Sequence, residues 1–186
     1  MIKHLPNTLT GLRILAIPFF LWCSLGGMTL IAMFIFVVAS ITDYYDGYLA
    51  RKYQFVSNFG KIMDPLADKL LVLSALIILN IQPIQYLNWI VTLIIALREI
   101  AVTYLRYYFQ QKDIIMPADI FGKIKTILQL TGIITALVFF NAVQLFSFFK
   151  GFESGVVLVI QVYFWIVVVV TILSGVNYFR KLWVRK

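Results

Sequence analysis

Four stretches of this chain, residues 14–42, 70–97, 126–149 and 154–179, contain no Asp, Glu, Lys or Arg. A helix needs roughly 20 predominantly apolar residues to cross a bilayer, and each stretch exceeds that length. The composition agrees: 62% of residues are hydrophobic and 13% charged, where a water-soluble domain is nearer half apolar and about a quarter charged. A secretory signal is shorter and is not repeated, so none is expected.

Two of the stretches are too long for one helix, and each carries a break, Gly26-Gly27 in the first and Gln82-Pro83 in the second. The expected fold is therefore an all-α integral membrane protein of six transmembrane helices, over about 8–25, 28–51, 59–80, 86–110, 119–148 and 154–180. These helices leave almost nothing for a soluble part, so residues 1–186 are expected to form a single domain. No internal repeat or low-complexity segment stands out.

A net charge of +8 raises nucleic acid as a partner, but the placement of the basic residues matters more than their sum. With the N-terminus in the cytoplasm, Lys3, Arg51, Lys52, Lys61, Lys112, Lys123, Arg180, Lys181, Arg185 and Lys186 all fall inside, and only Lys150 falls in an outside loop. That asymmetry predicts both termini on the cytoplasmic face of the cell membrane, and no nucleic acid. The basic tail from Arg180 to Lys186 is expected to rest on anionic headgroups. Cys23, the one cysteine, reads as apolar filler, and His4 as a solvated side chain near the headgroups. Phe139-Phe140 and the aromatics from Phe146 to Phe152 read as interfacial belt or lipid-facing surface.

The chain has eight acids, and four of them, Asp43, Asp46, Asp64 and Asp68, fall within 26 residues. Charge is expensive in a membrane, so such concentration points to function. Asp43 and Asp46 are three apart near the end of the second helix, and Asp64 and Asp68 four apart near the start of the third, so each pair shares a helix face. The short connection between makes the helices antiparallel neighbours, and the four carboxylates converge. Unbalanced, they would repel, so something positive must hold them. Either pair alone would read as acids pairing with Arg51, Lys52, Lys61 or Lys69 at a helix end; together they read as a cage for divalent cations. All-oxygen ligation suits Mg²⁺ or Mn²⁺ rather than structural zinc, and four carboxylates can hold two ions.

Small residues flank the cage. Gly47 and Ala50 leave a strip of the second helix nearly bare beside the acids, Arg51 adds a charged fork, and Gly60 sits near a helix start, where free amides favour phosphate. Carboxylates for metal, then space, then an arginine describe a diphosphate site.

The string Asp43, Asp46-Gly47, Ala50-Arg51, Gly60, Asp64, Asp68 resembles the full signature of the CDP-alcohol phosphatidyltransferase family, D-x2-D-G-x2-A-R-x8-G-x3-D-x3-D, with every fixed position matched. The segments 5–13, 58–69, 97–99 and 122–126 resemble most the bacterial phosphatidylglycerophosphate synthase branch, although cardiolipin synthases and members with other acceptors share much of the pattern. The resemblance implies transfer of a phosphatidyl group from CDP-diacylglycerol to an alcohol, here glycerol 3-phosphate, with release of CMP, by a homodimer of six-helix protomers embedded among membrane lipids. It implies that Asp43, Asp46, Asp64 and Asp68 hold two divalent cations and that Asp68 is also the base for the acceptor hydroxyl. It places the CDP-diacylglycerol head against Asp43, Asp46, Gly47, Ala50, Arg51 and Gly60, with Asn7, Thr10 and Ser57 closing the pocket. For the N-terminal segment the alternative is capping of the first helix by Thr8 or Thr10.

An acceptor that is itself a phosphate monoester needs separate positive charge. Arg98 is deep in the fourth helix, where an ionisable residue is functional by default. Its neighbour Glu99 points about 100° away, so the two are not expected to pair along one face. Arg106 returns to the side of Arg98 nearer the cytoplasm, and Lys123 and Lys125 begin the fifth helix. Arg98, Arg106 and Lys123 are the expected phosphate ligands, and Lys125 the solvated or lipid-facing residue. Intramembrane charges also mark ion-coupled transporters, but here the acids sit at helix ends rather than at the midplane, and no inverted repeat appears.

Overall fold

The computed structural model describes residues 5–53, 58–82, 86–111 and 120–183, and within the helices its side-chain description omits 5–9, 44–53, 58–62, 64–65, 106, 110, 178–179 and 181–183. Six α-helices follow in order: α1 (Leu5–Leu25), α2 (Thr29–Tyr53), α3 (Asn58–Ile81), α4 (Trp89–Gln110), α5 (Ile120–Leu145) and α6 (Glu153–Trp183). A 3-10 helix, Ser147–Phe152, joins the last two. No strand occurs among the described residues.

Each helix lies within a turn of its expected span, and the breaks have local causes. Gly27 takes φ 79°, a left-handed conformation that glycine adopts without a Cβ clash. This lets the Met28 N–H reach back to the Cys23 carbonyl at 2.9 Å, the six-residue closure that ends a helix. At the second break α3 stops at Ile81, and Pro83 lies outside the described residues. Helix α4 starts later than expected because Asn88 caps it, its carboxamide oxygen accepting from the Ile90 N–H at 2.9 Å. Tyr86 is therefore not a helix start. It is a fully buried plug, with the Phe139 and Phe140 rings edge-on at 6.5 and 5.7 Å.

Three further expectations change. Phe140 belongs to the core rather than to an aromatic belt, whereas Phe146, which precedes the 3-10 helix, and Phe148 and Phe152 on it are exposed as expected. Helix α5 ends at Leu145, before the Phe146–Phe152 segment, instead of running into it as far as about residue 148. Thr8 and Thr10 lie inside α1, which begins at Leu5, so neither caps it. His4 lies outside the described residues.

Helix α1 packs along both α2 and α3, while α6 packs on α4 and α5. Phe20, Phe36, Leu76, Ile95, Ile133 and Phe164 fill the space between, and Cys23 is buried among them as filler. Helices α5 and α6 cross closely at Gly132, where a Cβ would stand 2.6 Å from the Tyr163 ring. The outer face is apolar on every helix, with Leu15, Phe34, Leu70, Ile100, Ile127 and Val159 all exposed. So large an apolar exterior needs a nonaqueous cover. Residues 120–145 and 147–177 are each long and apolar enough to cross a membrane.

Candidate active site

The acidic signature lies where α1, α2 and α3 meet. Arg13, one turn beyond Thr10 on α1, is 2% exposed although it borders the first charge-free stretch. A guanidinium is buried only with a partner. Its Nη1 lies 2.5 Å from Asp43 Oδ1 on α2, and Asp43 itself is partly open. Arg13 is also close enough to act electrostatically on Asp68 of α3, together with Lys69, Lys125 and Glu99. One buried arginine thus links an acid of each pair. Thr10, also buried, lies on the same helix.

Helical register carries the rest of the signature along the same elements. Asp46, Gly47, Ala50 and Arg51 fall on the last turns of α2, Gly60 and Asp64 on the first turns of α3, and Asn7 on the first turn of α1. Their side chains, and Ser57 altogether, are outside the described residues. Among the described residues no three His, Cys, Asp or Glu side chains gather into a cluster. The donor chemistry fits a hard divalent cation: Asp43 and Asp68 offer carboxylate oxygen, and Cys23, the single thiol, is buried in the apolar core.

A second polar cluster sits between α4, α5 and α6, and it corrects two expectations. Lys125, expected to face solvent or lipid, is 4% exposed. It turns inward, and its Nζ donates to Glu99 Oε1 on α4. Lys123, two residues earlier, is the exposed lysine. Arg98 and Glu99 do pair, Nη1 lying 3.2 Å from Oε1. Their backbone positions diverge as expected, but the long arginine side chain bends back across the gap. Gly175 on α6 lies against it, its Cβ position 3.6 Å from Arg98 Cγ, an ordinary contact distance. Arg98 Nη2 then donates to Ser174 Oγ at 2.7 Å. The side chain of Arg106 lies outside the described residues.

Four members of this arrangement, Arg13, Glu99, Lys125 and Ser174, were not picked out from the sequence as site residues. Arg13 and Lys125 had a signal: each is a charge at the border of a long apolar run, where the helix it starts is already packed. Ser174 had none, since a serine in an apolar helix usually bonds its own backbone.

Asp43 and Asp68, with the cluster of Arg98, Glu99 and Lys125, set charged groups within an otherwise apolar bundle. The chain belongs to the CDP-alcohol phosphatidyltransferase family, whose profile matches residues 3–173. It is thus a transferase of that class, which sets the transporter aside. It is 37% identical to the CDP-diacylglycerol–glycerol-3-phosphate 3-phosphatidyltransferase of Bacillus subtilis (strain 168), over 97% of this chain and 95% of that protein. The enzyme of the same name from Rickettsia felis is 37% identical over 96% of this chain and 94% of its own length. A protein of Mycobacterium tuberculosis named probable phosphatidylglycerophosphate synthase is 41% identical over 71% of this chain and 65% of its own length.

Proposed function

We propose that this chain is a phosphatidylglycerophosphate synthase, transferring the phosphatidyl group of CDP-diacylglycerol to the free hydroxyl of sn-glycerol 3-phosphate and releasing CMP on the way to phosphatidylglycerol and cardiolipin. The observation that carries the reading is the buried Lys125, held with the half-buried Arg98 on Glu99 and close enough to act on Asp68. A neutral alcohol acceptor would give two buried cations no use, whereas a phosphate monoester would. The relatives carrying that enzyme name support the same acceptor.

In this reading Asp43, Asp46, Asp64 and Asp68 hold two divalent cations, Mg²⁺ or Mn²⁺. When bound, the ions would neutralise the diphosphate and the charge that develops on its oxygens. Arg13 fixes the orientation of Asp43 through one carboxylate oxygen. Gly47, Ala50, Arg51 and Gly60 receive the cytidine diphosphate, with Asn7, Thr10 and Ser57 at its edge. Arg98, with Lys125 in place of the exposed Lys123, holds the acceptor's phosphate; Lys123 and Arg106 line its approach. Asp68 takes the proton from the acceptor hydroxyl as that oxygen bonds to the β-phosphorus and the bond to CMP breaks. All of residues 1–186 serve as one catalytic domain, six helices span the cell membrane among its lipids with both termini and the site on the cytoplasmic side, and two protomers form a homodimer.

The test is CMP release by purified protein given CDP-diacylglycerol and Mg²⁺, with glycerol 3-phosphate, phosphatidylglycerol, inositol phosphate or serine offered separately. Release with glycerol 3-phosphate alone is expected. Release only with phosphatidylglycerol or a polyol phosphate would replace the acceptor and keep the four-aspartate chemistry.

A further inference from the structure

The proposed reaction gives no task to Glu99, a carboxylate of 7% exposure set within the cationic cluster. Its Oε1 receives both cations, Lys125 Nζ and, at 3.2 Å, Arg98 Nη1. Arg98 Nη2 is taken by Ser174. Donors remain after these contacts. Arg98 Nε is buried without a hydrogen-bond partner. An ammonium has three N–H donors, and among the described residues Glu99 is the one hydrogen-bond acceptor shown for Lys125. The cluster is therefore tied on one side and unsatisfied on the other.

Charge balance gives the tie a purpose. Two cations buried side by side with no anion would repel, and one would swing towards water. One carboxylate bonded to both holds them together and leaves one positive charge over, which suits an incoming anionic group. Aspartate at this position would reach less far, and glutamine would offer no charge.

We infer that Glu99 is a positioning residue that holds Lys125 and Arg98 aimed at the acceptor's phosphate and thereby sets the preference for an anionic acceptor. The inference rests on the acceptor reading above. It acts through the two cations and touches neither the donor nor the reacting atoms.

The experiment measures KM for glycerol 3-phosphate and for CDP-diacylglycerol separately in Glu99→Gln, Glu99→Asp, Lys125→Met, Arg98→Ala and the double variant Glu99→Gln/Lys125→Met. Losing a charge-assisted hydrogen bond predicts a rise of about tenfold or more in the acceptor KM of Glu99→Gln, with the donor KM unchanged and partial recovery in Glu99→Asp. In the double variant the two effects should combine to less than their product, because losing Lys125 already removes one of the two cations that Glu99 positions. An unchanged or lowered acceptor KM in Glu99→Gln, or an equal rise for both substrates, overturns the inference. If Glu99→Gln does not survive purification, Glu99→Asp decides: an acceptor KM equal to the parent's, or an equal rise for both substrates, overturns it. If Lys125→Met and Arg98→Ala raise the acceptor KM and Glu99→Gln does not, this inference fails and the proposed function stands. If neither of those two raises it while CMP is still released, the acceptor site itself is misplaced.

Discussion

Arg13→Met removes a buried cation that acts on an acid of each pair, and the structure bounds the effect. Breaking a fully buried ion pair costs about 3–5 kcal/mol, whereas an exposed pair contributes about 0–1 kcal/mol. Here the arginine side chain is 1% exposed but Asp43 is 38% exposed, so water recovers part of the aspartate's solvation. The expected loss lies between those limits, at about 2 kcal/mol, which for a chain of this size lowers Tm by roughly 4–8 °C. Methionine fills the volume of the arginine stem, so the loss reports charge rather than a cavity. The assay is thermal unfolding in detergent, first with EDTA and then with excess Mg²⁺. Without metal the variant gathers acids with less compensation and should melt clearly below the parent. With metal the gap should narrow, because cations bound only by the folded state stabilise it by mass action. Equal melting temperatures in EDTA, or a gap that Mg²⁺ leaves unchanged, would refute the claim that Arg13 balances a metal-binding carboxylate cluster.

Asp68→Asn should keep the fold and donor binding while cutting turnover by at least about a hundredfold, the usual contribution of a general base; near-normal CMP release would remove Asp68 from that role. Gly132→Ala places a methyl group 2.6 Å from the Tyr163 ring, whose hydroxyl is held at 2.8 Å by the Leu128 carbonyl. The ring cannot step aside freely, so a loss of about 1–3 kcal/mol in chemical unfolding is expected. Burial, and then the charge of Glu153, push Tyr86 up to about 12. Since the folded state favours its neutral phenol, the stability it contributes is fully present below pH 10 and is lost as pH rises through about 12. Tyr86→Phe should flatten the alkaline limb of a Tm–pH curve and cost nothing at pH 7, because the hydroxyl has no hydrogen-bond partner among the described residues.

Helix positions were legible because bilayer-length apolar runs and glycine or proline breaks are one-dimensional signals, and the chain follows them within a turn. The acid signature was legible for the same reason, since its spacing runs along two consecutive helices. The cationic cluster was not. Lys125 and Lys123 differ by two positions, which places them on different sides of α5, and only knowledge of where α4 packs tells which side is interior. The Arg98–Glu99 pair failed for a related reason. Backbone directions predict where side chains leave the helix, but a guanidinium on three methylenes travels far enough to cancel that divergence. Tyr86 was misplaced because an aromatic residue after a break looks the same whether it starts a helix or plugs a bundle.

The charge layout explains why these helices need one another. In an apolar medium each ionised group must find its partner on a neighbouring element, because water is not there to supply one. Arg13 of α1 reaches Asp43 of α2, Glu99 of α4 reaches Lys125 of α5, and Arg98 of α4 reaches Ser174 of α6. Asp68 of α3 lies within the fields of both groups, acted on by Lys69, Lys125, Glu99 and Arg13. An acid in that position adjoins both the site proposed for the diphosphate and the site proposed for the acceptor. In the proposed reaction Asp68 is the acid that meets the hydroxyl, since the acceptor phosphate held by Arg98 and Lys125 would bring its own alcohol alongside. In that proposal the network that keeps charges tolerable inside the bundle would also set the direction from which the acceptor reaches the donor.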